Sequence, residues 1–187
     1  MNEKGQKPFS FQEETWDLYA QNFSGLVVAP TGFGKTFSVF LAVIHSFLNH
    51  PEKVRTSRDL SKLQLLWITP LRSLSKDIAK AMQTSIDEIG LDWTVGVRNG
   101  DISASEKQKQ TKNMPEILVV TPESLHLLLA QKSKTKFFEN LQCVAVDEWH
   151  ELLSSKRGVM VELALSHLRS ISKNLKIWGL TATIGNL

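Results

Sequence analysis

The stretch that decides the fold is LVVAPTGFGKT, which runs from residue 26 to residue 36. It opens with an apolar run over residues 26–29 that is typical of a buried strand. Residues 36–49 are mostly apolar and favour a deeply packed helix, which Pro51 ends. The glycines lie between strand and helix, and this is the context that a phosphate-binding loop requires. The sequence therefore predicts a strand, a phosphate loop and a helix in succession.

The loop residues suggest how a triphosphate would be held. Gly32 and Gly34 allow backbone angles that are closed to other residues, and the N-terminus of the following helix attracts anions. We expect Lys35 to reach the β and γ phosphates and the Thr36 hydroxyl to ligate Mg²⁺. Ala29 stands where the usual pattern begins with glycine, and a glycine-rich turn with a chance Lys-Thr pair is the alternative. The predicted ATP-binding residues of the loop are Thr31, Gly32, Gly34, Lys35 and Thr36.

Two adjacent acids, Asp147 and Glu148, follow a second apolar run over residues 141–146. In an open α/β sheet, ligands bind at the carboxyl ends of the strands. The Asp147 carboxylate can hold Mg²⁺ through water, and Glu148 can position the attacking water. Phosphoryl transfer depends mainly on such positioning and on charge neutralisation. A solvated acidic turn is the alternative for the pair taken alone.

Composition leaves several classes of function open. The chain has 187 residues, is 42% hydrophobic and carries a net charge of +3, which suits one well-packed domain and permits nucleic-acid binding without demanding it. Cys143 is the single cysteine, so no intrachain disulfide is expected, and it should pack inside a strand. The sequence contains no apolar stretch of membrane-spanning length and no signal peptide. We expect a cytoplasmic protein without membrane contact.

The apolar runs alternate with helical stretches along the chain. The six runs that read as strands cover residues 26–29, 63–68, 94–98, 117–120, 141–146 and 175–180. Alternation of this kind predicts an α/β fold of three layers, with a mainly parallel sheet between helices. Right-handed crossovers then place the loops that follow the strands on one edge of the sheet.

Two strands end in the same Thr-Pro pair, at Thr69-Pro70 and at Thr121-Pro122. Threonine is a fair N-cap and proline suits the first helical position, so the second pair predicts a helix directly after it, over residues 123–130, and the first pair a helix slightly later, around Ser73. Helix N-termini bind phosphates, and two of them on one edge suit the backbone of a nucleic acid. The alternative is that Thr-Pro is only a good helix start.

Three polar side chains near these motifs each have two interpretations. Gln12 lies in a helix expected to begin with a capping box at Ser10, and its amide could read an adenine edge or lie on the surface. His150 could couple the nucleotide to a second site or be a packing residue, because no Cys/His set accompanies it for zinc. Arg98, ahead of a predicted turn, could touch a phosphate or be solvated.

These residues and their order resemble the first RecA-like domain of superfamily 2 DExH-box helicases of the Lhr type. Within that type, the chain looks like the ligase-associated DEXH-box helicases of bacterial DNA repair. The matching segments are Gln12, APTGFGKT (29–36), TPLRSL (69–74), RNGD (98–101), TPESL (121–125), DEWH (147–150), SKRG (155–158) and WGLTATIGNL (178–187). The resemblance covers essentially the whole chain, so residues 1–187 would form one helicase ATP-binding domain.

The resemblance implies roles for the matching positions. Gln12 would read adenine, and Lys35, Asp147, Glu148 and His150 would serve hydrolysis. Thr181 and Thr183 would link hydrolysis to strand movement; relatives more often have serine at the first of these positions. The positions that would grip single-stranded nucleic acid are Thr69, Pro70, Arg72, Arg98, Thr121 and Pro122.

The resemblance also implies 3′-to-5′ translocation on single-stranded DNA, with RNA–DNA hybrids as further substrates and DNA-repair proteins as partners. Because such helicases carry a second RecA-like domain with an arginine finger, we expect this chain to be a fragment that hydrolyses ATP poorly alone. A translocase that does not unwind, and a nucleotide-regulated binding module without catalysis, are the competing functions.

Overall fold

The computed structural model describes residues 7–49, 62–153 and 155–182, without the side chains of residues 132–134. The strands are β1 (Gly25–Val28), β2 (Leu65–Ile68), β3 (Val95–Arg98), β4 (Ile117–Val120), β5 (Cys143–Val146) and β6 (Lys176–Thr181). The α-helices are α1 (Ser10–Ala20), α2 (Lys35–Asn49), α3 (Arg72–Ile89), α4 (Ala104–Lys112), α5 (Pro122–Leu129), α6 (Trp149–Leu152) and α7 (Lys156–Ile171). A 3₁₀ helix spans Lys132–Phe138.

The six strands form one parallel sheet in the order β1-β6-β5-β2-β4-β3. All six correspond to the apolar runs identified in the sequence, and the predicted three-layer α/β fold is confirmed. The strands end level with one another: Ile68 of β2 lies opposite Val146 of β5 and Val120 of β4. The segments that follow the strands are therefore brought to one edge of the sheet, as predicted.

Apolar side chains pack on both faces of the sheet. On one face Leu66, Val144 and Leu168 belong to a cluster that includes α5 and α7. On the other face Trp67 and Phe40 belong to a cluster that includes α1, α2 and α3. The strands β2, β4 and β5 are buried on both faces, and such strands read as continuous apolar runs, which explains why the sequence pattern located them. The prediction that residues 26–29 form a buried strand is wrong in part, because β1 is an edge strand and the side chains of Leu26 and Val28 are exposed. Among the described residues, no helix has both the length and the apolar character needed to cross a membrane.

The start of α1 differs from the prediction. The helix begins at Ser10 itself, and Phe9 occupies the N-cap position. The Phe9 N–H donates to Gln12 Oε1 over 3.0 Å, so the glutamine caps the helix and the predicted role of Ser10 as N-cap is wrong. The cause is local, because a glutamine amide reaches back to an N–H three residues earlier whatever side chain that residue carries.

Candidate functional site

Backbone hydrogen bonds between the segments beyond the strands define their order along one sheet edge. The Asp147 N–H donates to Ile68 O over 2.8 Å, and the Thr69 N–H donates to Val120 O over 3.0 Å. The Ala29 N–H donates to Thr181 O over 3.3 Å at the β1 end of the sheet. In order, the edge carries the phosphate loop, Thr181, Asp147, Thr69, Thr121 and Asn99. Because neighbouring strands lie about 4.8 Å apart, all the predicted motifs share one surface.

The phosphate loop uses its glycines as the sequence predicts. Gly32 and Gly34 have φ of 84° and 76°, in the left-handed region that other residues rarely adopt. The Lys35 Nζ donates to Ala29 O over 2.8 Å and to Pro30 O over 3.0 Å. α2 begins at Lys35, where the loop ends, and the lysine side chain reaches back across the loop to the carbonyls at which the loop begins. This arrangement concentrates positive potential where a polyphosphate would be held.

Gln12 connects α1 to the phosphate loop. Its Nε2 donates to Gly34 O over 3.1 Å, while its Oε1 accepts the Phe9 N–H. The side chain is buried, so the alternative of a surface glutamine is wrong. The Trp16 indole adds a second tie by donating to Ser38 O over 2.9 Å. Gln12 is thus fixed beside the loop, and its contact with adenine stays a prediction.

The acid pair lies in a strained and poorly solvated setting. Burial and, second to it, the charge of Glu148 raise the pKa of Asp147 to about 6, although hydrogen bonds and the Lys35 ammonium act to lower it. Lys35 is therefore within electrostatic reach of Asp147, which brings the two motifs together. Glu148 has φ 48° and ψ 48°, a left-handed conformation that is uncommon for a residue with a side chain. Strain of this kind is concentrated at functional sites.

The donor groups present suit Mg²⁺. The Asp147 carboxylate is buried beside a second carboxylate, so a divalent cation would offset both desolvation and repulsion. Carboxylate and hydroxyl oxygens are hard donors, as this ion prefers, and it keeps several waters of its own. Asp147 thus fits the predicted metal role, and the Thr36 hydroxyl in the first turn of α2 stays a predicted ligand.

His150 joins the acid pair to the end of β6. Its Nδ1 lies 2.9 Å from Thr181 Oγ1 and 3.6 Å from Glu148 Oε2, and its Nε2 lies 3.5 Å from Glu151 Oε1. The Thr181 hydroxyl in turn donates to Ala182 O over 3.2 Å. The His150–Thr181 contact has the length of a hydrogen bond whichever of its two partners donates. Thr183, the second predicted coupling residue, lies outside the described residues.

The side chains of both Thr-Pro pairs are buried; the second pair begins α5, while the first lies just before α3, which begins at Arg72 with Leu71 as its N-cap. Thr69 Oγ1 accepts the Leu71 N–H over 3.4 Å, and the Thr121 hydroxyl donates to Ser124 Oγ over 3.1 Å. Thr121 precedes α5 with Pro122 in its first turn, as predicted. Pro70 and Pro122 are also buried. The hydroxyls therefore shape the two turns, and a strand on this edge would meet the helix N-termini and exposed neighbours such as Arg72.

The two predicted arginines occupy different environments. Arg72 is exposed, and its Nη1 lies 3.8 Å from Asp101 Oδ1. Arg98 is buried, and its Nη1 donates to Lys107 O over 3.4 Å, so the alternative of a solvated Arg98 is wrong. Burial lowers the pKa of Arg98, and no carboxylate of the described ranges forms an ion pair with it. A buried guanidinium in this state would gain from an anionic partner.

Sequence reasoning missed one contact between the motifs. The Arg157 Nε donates to Glu123 Oε1 over 2.6 Å, and its Nη1 donates to Pro70 O over 3.3 Å. Arg157 belongs to the SKRG segment, which the sequence marked only as a family resemblance. The available signal was an acid in the first turn of a predicted helix and an arginine without an assigned role.

Known proteins share this arrangement. A model of the DEAD/DEAH box helicase family matches residues 9–187. The Lhr helicase/uracil glycosylase of Escherichia coli (strain K12) is 33% identical over 190 residues, which cover 95% of this chain and 12% of that protein. ATP-dependent helicase Lhr-Core protein 2 of Thermococcus barophilus is 36% identical over 169 residues, which cover 85% of this chain and 19% of that protein.

A solved structure adds to this likeness. Helicase Lhr of Mycobacterium smegmatis, bound to ssDNA and AMP-PNP, has a TM-score of 0.74 at 28% identity, over 95% of this chain and 23% of that chain. The chain thus spans only a small part of these relatives. The RecA-like fold and the resemblance to Lhr-type helicases are confirmed, while the narrower ligase-associated assignment stays a prediction. With its phosphate loop, acid pair and Thr-Pro turns on one sheet edge, the chain belongs to the DEAD/DEAH box helicase family.

Proposed function

We propose that this chain is the ATP-binding motor domain of an ATP-dependent DNA helicase. ATP binds at the β1 end of the sheet edge, and a single nucleic-acid strand binds at the β2–β4 end. The observation that carries this proposal is the shared edge itself, where the end of β5 lies directly between the other two sites. A motor domain must transmit movement between its ATP site and its nucleic-acid site. Here the two sites lie at the ends of neighbouring strands that are hydrogen-bonded to one another.

The residues of the ATP site divide the work of phosphoryl transfer. Lys35 leaves the carbonyls of Ala29 and Pro30 and neutralises the β and γ phosphates together with the N-terminus of α2. Gln12 holds the loop at Gly34 and reads adenine. Mg²⁺, held by Thr36 and Asp147, supplies charge neutralisation when bound. Glu148 orients the attacking water and accepts its proton.

The His150–Thr181 hydrogen bond gives the two sites a means of communication. His150 lies in α6, two residues after Glu148, and contacts its carboxylate. A movement of Glu148 therefore changes the position of the His150 ring relative to β6. Thr181 ends β6, the strand hydrogen-bonded to both β1 and β5. Movement there is transmitted through β1 to the phosphate loop and through β5 to the acid pair. Because β5 is hydrogen-bonded to β2, which leads into the Thr69-Pro70 turn, the same movement reaches the proposed nucleic-acid site, as the predicted coupling role of Thr181 requires.

Relatives support a single strand of DNA as the track, since the Mycobacterium smegmatis helicase was solved with ssDNA. We further propose 3′-to-5′ translocation, RNA–DNA hybrids as additional substrates, a role in DNA repair with other repair proteins, and a cytoplasmic location. We also propose that a second RecA-like domain completes the ATP site with an arginine finger, a group that contributes several orders of magnitude to hydrolysis in related NTPases.

The deciding experiment measures ATP hydrolysis and strand displacement by the full-length protein with single-stranded and tailed duplex DNA. We expect hydrolysis to rise with single-stranded DNA and duplexes with 3′ tails to be separated. Lys35→Ala should abolish both activities, while Lys80→Ala, a change at an exposed lysine on α3, should leave both intact. Stimulated hydrolysis without strand separation would instead identify a non-unwinding translocase. ATP binding without turnover would identify a regulated binding module.

A further inference from the structure

Arg157 is the side chain that bridges the two Thr-Pro turns. Its guanidinium donates to Glu123 in the first turn of α5 and to the Pro70 carbonyl just before α3. These turns follow β4 and β2, which are neighbours in the sheet. One side chain from α7 therefore ties together the starts of two helices that belong to different strands.

The backbone around Arg157, at the start of α7, is held in place by other residues of the SKRG segment. Ser155 Oγ accepts the Gly158 N–H over 3.1 Å and donates to Leu152 O over 2.8 Å. A Cβ on Gly158 would lie 2.1 Å from Leu152 O, so only glycine lets α7 approach the end of α6 this closely. The SKRG segment thus has a physical reading: serine caps the helix, glycine permits the contact, and arginine reaches the turns.

The environment of the Glu123 carboxylate favours its ionised form, which pairs with the Arg157 guanidinium. Burial acts to raise the pKa of Glu123, yet its own backbone N–H and the Arg157 guanidinium bring that pKa below its ordinary value. Its second carboxylate oxygen, Oε2, is buried and has no hydrogen-bond partner among the described residues. Glu123 is therefore ionised at neutral pH, stabilised by its own backbone N–H, by Arg157 and by the Thr121 side chain, and Arg157 is the charged partner among these groups.

We propose that Arg157 is a positioning residue that sets the spacing of the two strand-binding turns. This inference rests on the proposed function, in which the N-termini of α3 and α5 contact successive parts of one nucleic-acid strand. Two such contacts act together only when their separation matches the strand, because phosphate contacts fix the register of the bound backbone. The tie through Glu123 and Pro70 preserves that separation without Arg157 touching the strand.

The test measures ATP hydrolysis by the full-length protein while an oligo(dT) strand is titrated. Arg157→Ala should raise the KM for oligo(dT) about tenfold, within the range seen for residues of one ionic network. The KM for ATP and kcat at saturating oligo(dT) should stay within about twofold. Arg157→Lys should fall between wild type and Arg157→Ala, because an ammonium lacks the planar fork that serves both acceptors. Lys156→Ala, a change at an exposed neighbour, is the matched control and should have little effect.

Glu123→Gln separates positioning from direct contact. Removing a negative charge near a nucleic acid should by itself tighten binding, so a direct-contact role for Arg157 predicts a lower KM for oligo(dT). Positioning predicts the opposite, a KM raised about fivefold or more, because Arg157 loses its charged partner. A lower KM in Glu123→Gln would overturn the inference, as would equal losses of thermal stability, ATP affinity and kcat in Arg157→Ala. If no nucleic acid stimulates the wild type, the proposed function fails and takes this inference with it.

Discussion

The hydrogen bond between His150 and Thr181 should carry part of the coupling between nucleic acid and ATP hydrolysis. Its 2.9 Å length is ordinary for a hydrogen bond, and the net contribution of a typical one is about 0.5–1.5 kcal/mol. At about 1.4 kcal/mol per factor of ten, its loss should reduce DNA stimulation of hydrolysis roughly two- to twelvefold. The suitable perturbation is Thr181→Val, because the side chain is buried and valine keeps its shape while removing the hydroxyl.

The assay measures the rate of ATP hydrolysis by the full-length protein with and without DNA, and the quantity compared is the ratio of the stimulated rate to the basal rate. We expect the ratio to fall in Thr181→Val and in His150→Ala, and to fall no further when the two changes are combined. Thr181→Ser retains the hydroxyl and should behave like the wild type. If the two single effects instead multiply in the double variant, the residues act independently and the proposed link between them is wrong.

Two further predictions concern stability of the 187-residue chain. Gly158→Ala forces a Cβ to 2.1 Å from Leu152 O and should lower the free energy of unfolding by about 3 kcal/mol and Tm by about 10 °C. The control is Gly90→Ala, at φ 77° with no neighbour within 4 Å, which should lower the free energy of unfolding by only about 1 kcal/mol. Equal losses of stability in the two variants would refute the clash. Asp147→Asn should stabilise the Mg²⁺-free chain at pH 7 by about 3 kcal/mol, because the pKa of about 6 against an ordinary 3.8 means that stability is lost as pH rises between these values. The advantage should vanish below pH 4, and a gap independent of pH would contradict the assignment.

Much of the fold could be predicted because the central strands of the sheet are buried on both faces. Strands such as β2 and β4 read as unbroken apolar runs, and the phosphate-loop motif predicted the position of one strand–helix junction. The chain alone could not reveal strand order, since β1 pairs with β6 through residues some 150 positions apart. The sequence therefore predicted which motifs would reach the edge, while their order along it came only from the structure.

The contacts that sequence reasoning missed are side-chain ties between distant segments. Arg157 and Glu123 are separated by 34 residues, and Arg157 and Pro70 by 87 residues, with no periodic pattern to pair them. The burial of Arg98 and of the two Thr-Pro turns could not be predicted from the sequence either, because polar residues near strand ends are usually assigned to the surface. Thr69 and Arg98 bind backbone groups, the Leu71 N–H and the Lys107 carbonyl, while Thr121 binds the Ser124 hydroxyl, and packing decides each of these contacts.

The most direct test of the central claim is single-turnover and steady-state ATP hydrolysis by the full-length protein carrying Glu148→Gln. Glutamine keeps the size of the side chain but cannot accept a proton from the attacking water. We predict that ATP still binds with an affinity within about threefold of the wild type, while DNA-stimulated turnover falls by a hundredfold or more, in the range that removal of a general base produces. Turnover equal to that of the wild type would contradict the account, because the acid pair would then have no part in hydrolysis.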